Sequence, residues 1–262
     1  MAWDDDDEWP RPRRRTGNAL PLVVAIVVTA ALGLLIVGEP GSGSQSLVDR
    51  LARAAGSLSG GSPGLTYDDG MDGAEGSGGP GYSFARVQRD GVSPVTWRCD
   101  ESIPIVVNPA GAPADYDELV GAAITRVNDA SGFRFEVVGE TSERNFLDRS
   151  QGPVLLGFAD EGEVVELAGD VAGIGGSVYA LPPGPGRVTA VGGVVALDTD
   201  VVNDDVPFEY AEAVLVHELV HVLGLGHTEA PGELMRATGS GQTELGPGDR
   251  AGLAHLREAA CS

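Results

Sequence analysis

The sequence predicts an α+β domain of five strands and three helices behind a single N-terminal transmembrane segment. Two observations carry this expectation. Beyond residue 95 the apolar positions recur with a strand period, a helix period, four more strand-like runs and then two helical ones. Near the start, Ala19 to Val37 is an uncharged apolar run of nineteen residues, about 28 Å long as a helix and close to the hydrocarbon thickness of a bilayer.

Residues 1–18 hold an acidic run, Asp4 to Glu8, and a basic one with Arg11 and Arg13 to Arg15. Because the positive charges precede the apolar run, 1–18 is expected as a cytoplasmic tail and 19–38 as the signal anchor of a single-pass cell-membrane protein, with everything after Glu39 extracellular. The rival reading is a cleaved export signal and a secreted protein. Against it, the run exceeds the usual signal-peptide core of about 7 to 15 residues, and no small-x-small cleavage site follows. Residues 39–94 shift to Gly, Ser, Pro and Asp, with too little apolar surface to offset the entropy of ordering, and read as a flexible stalk. Within it, Leu47 to Leu58 has helical periodicity, enough for a short amphipathic turn.

The folded domain is expected over 95–262. Ile103 to Val107 reads as a strand, and Asp115 to Ala130 as a helix with one buried face of Leu119, Ala122, Ala123, Ile124 and Val127, stopped by Ser131-Gly132. Phe133 to Val138 alternates as a half-buried strand, and Val154 to Phe158 is a short apolar one. Gly175 to Leu181 and Arg187 to Leu197 follow, joined by the Pro/Gly-rich turn Pro182 to Gly186. A helix starts after Pro207, with Glu209 in its first turn where the helix dipole favours an acid, and Pro247 to Ala259 closes the domain as the last helix. The two cysteines, Cys99 and Cys261, bracket this region. Outside the membrane such a pair reads as a disulfide, stabilising the fold by roughly 5 kcal/mol in the chain-entropy model. The alternative, Cys99 as a thiol blocking a metal, would leave Cys261 unpaired.

Three of the four histidines lie within His217 to His227, HELVHVLGLGH. On a helix His217 and His221 leave the same face and can converge on one Zn²⁺. Glu218, about 100° further round, stays out of the coordination shell but within reach of a water there, the general-base place of the H-E-x-x-H pattern. Gly224 can take positive φ, so the chain can turn and bring His227 back as a third ligand. Three protein nitrogens leave one tetrahedral position open, the mark of a catalytic zinc.

This stretch resembles the long zinc motif of the metzincin metallopeptidases. Met235, in HTEAPGELM, follows the third histidine at an interval similar to that of the matrixin branch, and maps onto its Met-turn. Thr228 is nearer to the serine matrixins place there than to the aspartate of the reprolysin branch, and Ala237 stands where astacins and serralysins carry a ligating tyrosine. The resemblance implies a mixed five-stranded twisted sheet with an active-site helix and a C-terminal helix. It also implies that Gly175 to Leu181, and in particular Gly176, Ser177, Val178 and Tyr179, form the edge strand that pairs with an extended peptide substrate. The wall beside the scissile bond would come from Arg236 to Leu245, where Arg236 departs from the tyrosine common in matrixins. The stalk has no cysteine, so latency by a thiolate on the metal is not expected.

These residues together point to a zinc endopeptidase acting on extracytoplasmic proteins or peptides as a monomer. A silent peptide-binding module and a hydrolase of cell-wall peptide are the alternatives. Only His255 remains beyond the triad, expected as a packing or surface residue, so no second histidine-rich zinc site can be built. Calcium could bind at Asp198, Asp200, Asp204 and Asp205, although a solvated acidic loop is the preferred reading. The 17 basic residues, all Arg, face 39 Asp and Glu for a net charge of −22, which argues against nucleic acid and against adhesion to anionic polymers.

Overall fold

The computed structural model describes residues 65–68, 77–238 and 241–262. The charged tail, the apolar segment at 19–38 and the turn expected at Leu47–Leu58 lie outside them; among the described residues no helix is long and apolar enough to cross a membrane. The elements run β1 (Leu65–Asp68), β2 (Ser83–Phe84), β3 (Ile103–Asn108), α1 (Tyr116–Ser131), β4 (Phe135–Glu140), β5 (Val154–Ala159), β6 (Gly173–Ala180), β7 (Thr189–Asp198), α2 (Phe208–Leu223), β8 (Leu225–Gly226) and α3 (Pro247–Ala260). The five strands and three helices expected after residue 95 are all present, with their ends shifted by at most two residues.

The main sheet is mixed, in the order β1-β6-β7-β5-β3-β4. β3, β4, β5 and β7 pair in parallel, whereas β6 runs antiparallel to β7. The central strands are buried on both faces because period-two alternation sends neighbours to opposite sides. In β5, Val154, Leu156 and Phe158 join the core that holds the helices, while Leu155 and Ala159 meet Phe146, Val164 and Leu167 on the far side. β4 departs from the half-buried expectation. It lies at the sheet edge, and beyond Phe135 its residues are exposed, Val137 at 47% and Val138 at 56%.

α1 stops at Gly132, whose φ of 72° lets its N–H return to the Asn128 carbonyl; the Asn128 side chain in turn brackets both the N–H and the C=O of Phe135, leading the chain into β4. Cys99 and Cys261 form the expected disulfide, with Cα atoms 5.3 Å apart. Arg257 supports this corner, donating to the Cys99 carbonyl at 2.6 Å and lying over the Phe133 ring.

Two further features differ from the sequence-based expectation, both in the stretch assigned to the stalk. First, β1 adds a sixth strand, antiparallel to β6, with Leu65 opposite Ala180 and Asp68 opposite Ser177. The strand expected to be a free edge is therefore the second in the sheet along Ser177–Ala180. Second, residues 77–94 pack into the domain. Phe84 and Ala85 are 1% and 4% exposed, the Ala85 N–H donates to Gly224 O at 2.9 Å, and the Gln88 amide holds both backbone groups of Val188. Tyr82, Phe84 and Val87 stand in a run too short to establish a period, next to the Gly-rich stretch that precedes it, yet each fills a place against the core.

Candidate active site

α2 is apolar almost all round, as its sequence FEYAEAVLVHELVHVL requires of a helix packed on β6 and β7 and against α1. His217 and His221 leave it on one face. The helix ends at Gly224, whose φ of 119° no L-residue adopts readily and where a Cβ would lie 2.8 Å from the Val95 carbonyl. The chain reverses there and pairs β8 with β2, Leu225 opposite Phe84 and Gly226 opposite Ser83. The Ser83 hydroxyl then donates to the His227 carbonyl at 2.5 Å. The third histidine is thus positioned by a strand from the N-terminal stretch as well as by the glycine turn.

The three Nε2 atoms converge, at 3.0 Å (His217 to His221), 3.1 Å (His221 to His227) and 3.2 Å (His217 to His227). Nitrogens about 2.0–2.1 Å from a tetrahedral zinc stand roughly 3.3 Å apart, so the triangle fits one ion. Tautomers make the same point. The Nδ1–H of His217 donates to Leu234 O at 2.9 Å and that of His221 to Leu225 O at 2.8 Å, which leaves each neutral ring with a bare Nε2 lone pair aimed at the centre. Burial, and then the neighbouring imidazoles, push the His217 pKa down to about 4 and that of His221 well below its usual value. Lone pairs gathered this closely call for a cation other than a proton. Among the described residues, this triad is the group of metal-ligating side chains whose donor atoms all lie within 4.8 Å of one another.

Glu218 is 5% exposed, and burial pushes its pKa up to about 8. β6 lies directly on it. A Cβ at Gly175 would stand 2.3 Å from the Glu218 carbonyl oxygen, and one at Gly173 3.1 Å from Oε1, so only glycine lets the strand run this close to the carboxylate. Met235 is fully buried, and its carbonyl accepts the Thr228 N–H at 2.8 Å, tying the chain after His227 to the turn that carries Leu234.

The sequence profile of the matrixin peptidases matches residues 108–257, more than half of the chain. The chain belongs to the matrixin family. A comparison with curated proteins finds no match. The family match covers the zinc motif and Met235 and begins after β2, so Ser83 and its neighbours lie upstream of the matched residues.

His217, His221 and His227 are thus brought together; Glu218 is buried on α2 next to His217, and Met235 is buried in the turn whose backbone holds Thr228. Of the four proposed substrate-contacting residues, Gly176 lies on the stretch of β6 that β1 does not pair, while Ser177, Val178 and Tyr179 face β1 along their backbone; the Ser177 hydroxyl donates inward to Val222 O at 2.6 Å. In the acidic cluster, Asp198 and Asp204 accept the backbone N–H groups of Asp200 and Ala114, both at 2.8 Å, and burial pushes the Asp198 carboxyl up. His255 accepts no ligand role: its ring stacks edge-on against Phe84 and its Nδ1 lies 3.1 Å from the Tyr82 hydroxyl. Sequence reading missed Ser83, the carbonyls of Leu225 and Leu234, and the approach of Gly173 and Gly175. The last had a signal, glycines inside a strand; the backbone carbonyls had none.

Proposed function

We propose that this matrixin is a zinc-dependent endopeptidase, tethered in the cell membrane by residues 19–38 with residues 1–18 cytoplasmic, that cleaves extracytoplasmic proteins or peptides. The observation that carries the reading is the convergence of three imidazole lone pairs beside a buried glutamate. A zinc ion on His217, His221 and His227 supplies a Lewis acid that polarises a carbonyl and lowers the pKa of water. Glu218 takes the proton of the attacking water and hands it to the leaving amine. Its buried setting suits this shuttle, since bulk water is kept from competing for the proton. The nitrogens are held in place by the Leu225 and Leu234 carbonyls, which fix the ring orientation before substrate arrives.

The substrate lies extended along the outer edge of Gly173–Gly176, beside Glu218, where β6 carries no strand on that side among the described residues. The wall beside the scissile bond comes from the loop after Met235, whose end is tied to α1 by Arg126, which donates to the Thr243 carbonyl and pairs with Glu244 at 2.9 Å. β1 occupies the continuation of the same edge, so substrate residues beyond the first few compete with it. Replacing Leu65–Asp68 by Gly-Ser-Gly-Ser in the full chain is expected to lower KM for long peptides about tenfold, the scale of a few cross-strand pairs, and to leave KM for tetrapeptides unchanged. A KM for long peptides that the replacement leaves unchanged would remove β1 from the binding edge. The reading as a protein endopeptidase is tested by offering an unfolded protein and isolated cell-wall peptide fragments side by side. Cleavage of the protein is expected; cleavage of the wall fragments alone would reassign the substrate.

A further inference from the structure

Two carboxylates behind the triad are buried and have no part in the chemistry above: Glu233, 6% exposed, and Asp249, fully buried. Asp249 sits in the first turn of α3. Its Oδ2 accepts the N–H of Gly246 at 2.9 Å and that of Leu234 at 2.6 Å, and its Oδ1 lies 3.4 Å from the N–H of Met235. Glu233 Oε2 accepts the N–H of Asp249 itself at 2.9 Å. A Cβ on Gly246 would collide with that oxygen at 2.2 Å, so the pocket for the Glu233 carboxylate depends on a glycine there. The peptide that joins Leu234 to Met235 turns its N–H toward Asp249 and, on its other side, takes the His217 Nδ1–H on Leu234 O at 2.9 Å; one peptide further on, Met235 O takes the N–H of Thr228, next to His227. Two of the three histidines are therefore connected through one short turn to one buried carboxylate.

We propose that Asp249, set in place by Glu233, is a positioning residue for the metal site, holding His217 through the Leu234 peptide and the His227 segment through Met235. Polarising the Leu234–Met235 peptide at the Met235 N–H strengthens Leu234 O as an acceptor, while the bond from the Leu234 N–H fixes the turn itself, and together they orient the His217 ring with its Nε2 lone pair on the triad centre. The inference rests on the triad being a zinc site, but not on peptide hydrolysis. The test uses the full chain and two near-isosteric variants, Asp249→Asn and Glu233→Gln, read by zinc affinity in chelator competition, by the visible spectrum of the cobalt-substituted protein, and by thermal melting. The expected result is a zinc affinity about 10- to 100-fold weaker for Asp249→Asn, a smaller loss for Glu233→Gln, and an altered cobalt spectrum in a protein that still melts cooperatively. Should Asp249→Asn fail to fold, Glu233→Gln decides alone. Parental zinc affinity and an unchanged cobalt spectrum in a folded variant would overturn the proposal and reduce both carboxylates to caps of α3. A parent that binds no zinc would instead remove the site on which the proposal rests, whatever the variants do.

Discussion

A Glu218→Gln substitution is expected to slow peptide cleavage by about 10²–10⁴-fold, roughly 3 to 5.5 kcal/mol of barrier, with zinc content unchanged. The amide matches the carboxylate in shape, so the contacts with Gly173 and Gly175 survive and α2 keeps its place against β6. What is lost is the proton acceptor. Because Glu218 is outside the triad, the three Nε2 atoms keep their 3.0–3.2 Å spacing and the metal stays. Zinc analysis beside steady-state kinetics checks this, and cleavage at the parental rate would take the general base away from Glu218. Removing the burden of desolvating a charged carboxyl should also leave the variant at least as stable as the parent.

Starting the chain at Val95 instead of Ser77 is expected to destabilise the domain by at least about 3–5 kcal/mol and to weaken zinc retention. The magnitude follows from Phe84 alone, a fully buried aromatic whose removal empties its place between Tyr82, His255 and the core. It is a large share of a total stability that is typically about 5–15 kcal/mol. The effect reaches the metal because β8 loses its partner strand and the His227 carbonyl loses the Ser83 hydroxyl. Thermal melts and zinc stoichiometry of 77–262 and 95–262 make the comparison; two domains with equal melting temperatures and equal zinc would show that β2 is dispensable.

That comparison also marks where sequence reading stops. HELVHVLGLGH and Met235 were legible because metal chemistry fixes both residue type and spacing, and the strands of the central sheet were legible because burial on both faces leaves apolar runs such as VLLGFA. β1 and β2 were not. LTYD and SF are too short for a period, and their pairing with β6 and β8 is made by backbone atoms that every residue carries. Asp249 drew no reading of its own, because its reach back to Leu234 is a tertiary contact with no local trace. β4 misled in the opposite sense: Phe133 to Val138 alternates as a half-buried strand, and the exposure of Val137 and Val138 follows from the place of the strand at the edge of the sheet.

The most direct test of the central claim is cleavage of a diverse peptide library by the full chain, measured as purified, after removal of metal by a chelator, and after zinc is returned. Cleavage that disappears with the chelator and returns with zinc is the predicted result. A protein that holds one zinc on His217, His221 and His227 yet cuts no peptide would contradict it, and would leave a zinc-containing peptide-binding domain in place of an enzyme.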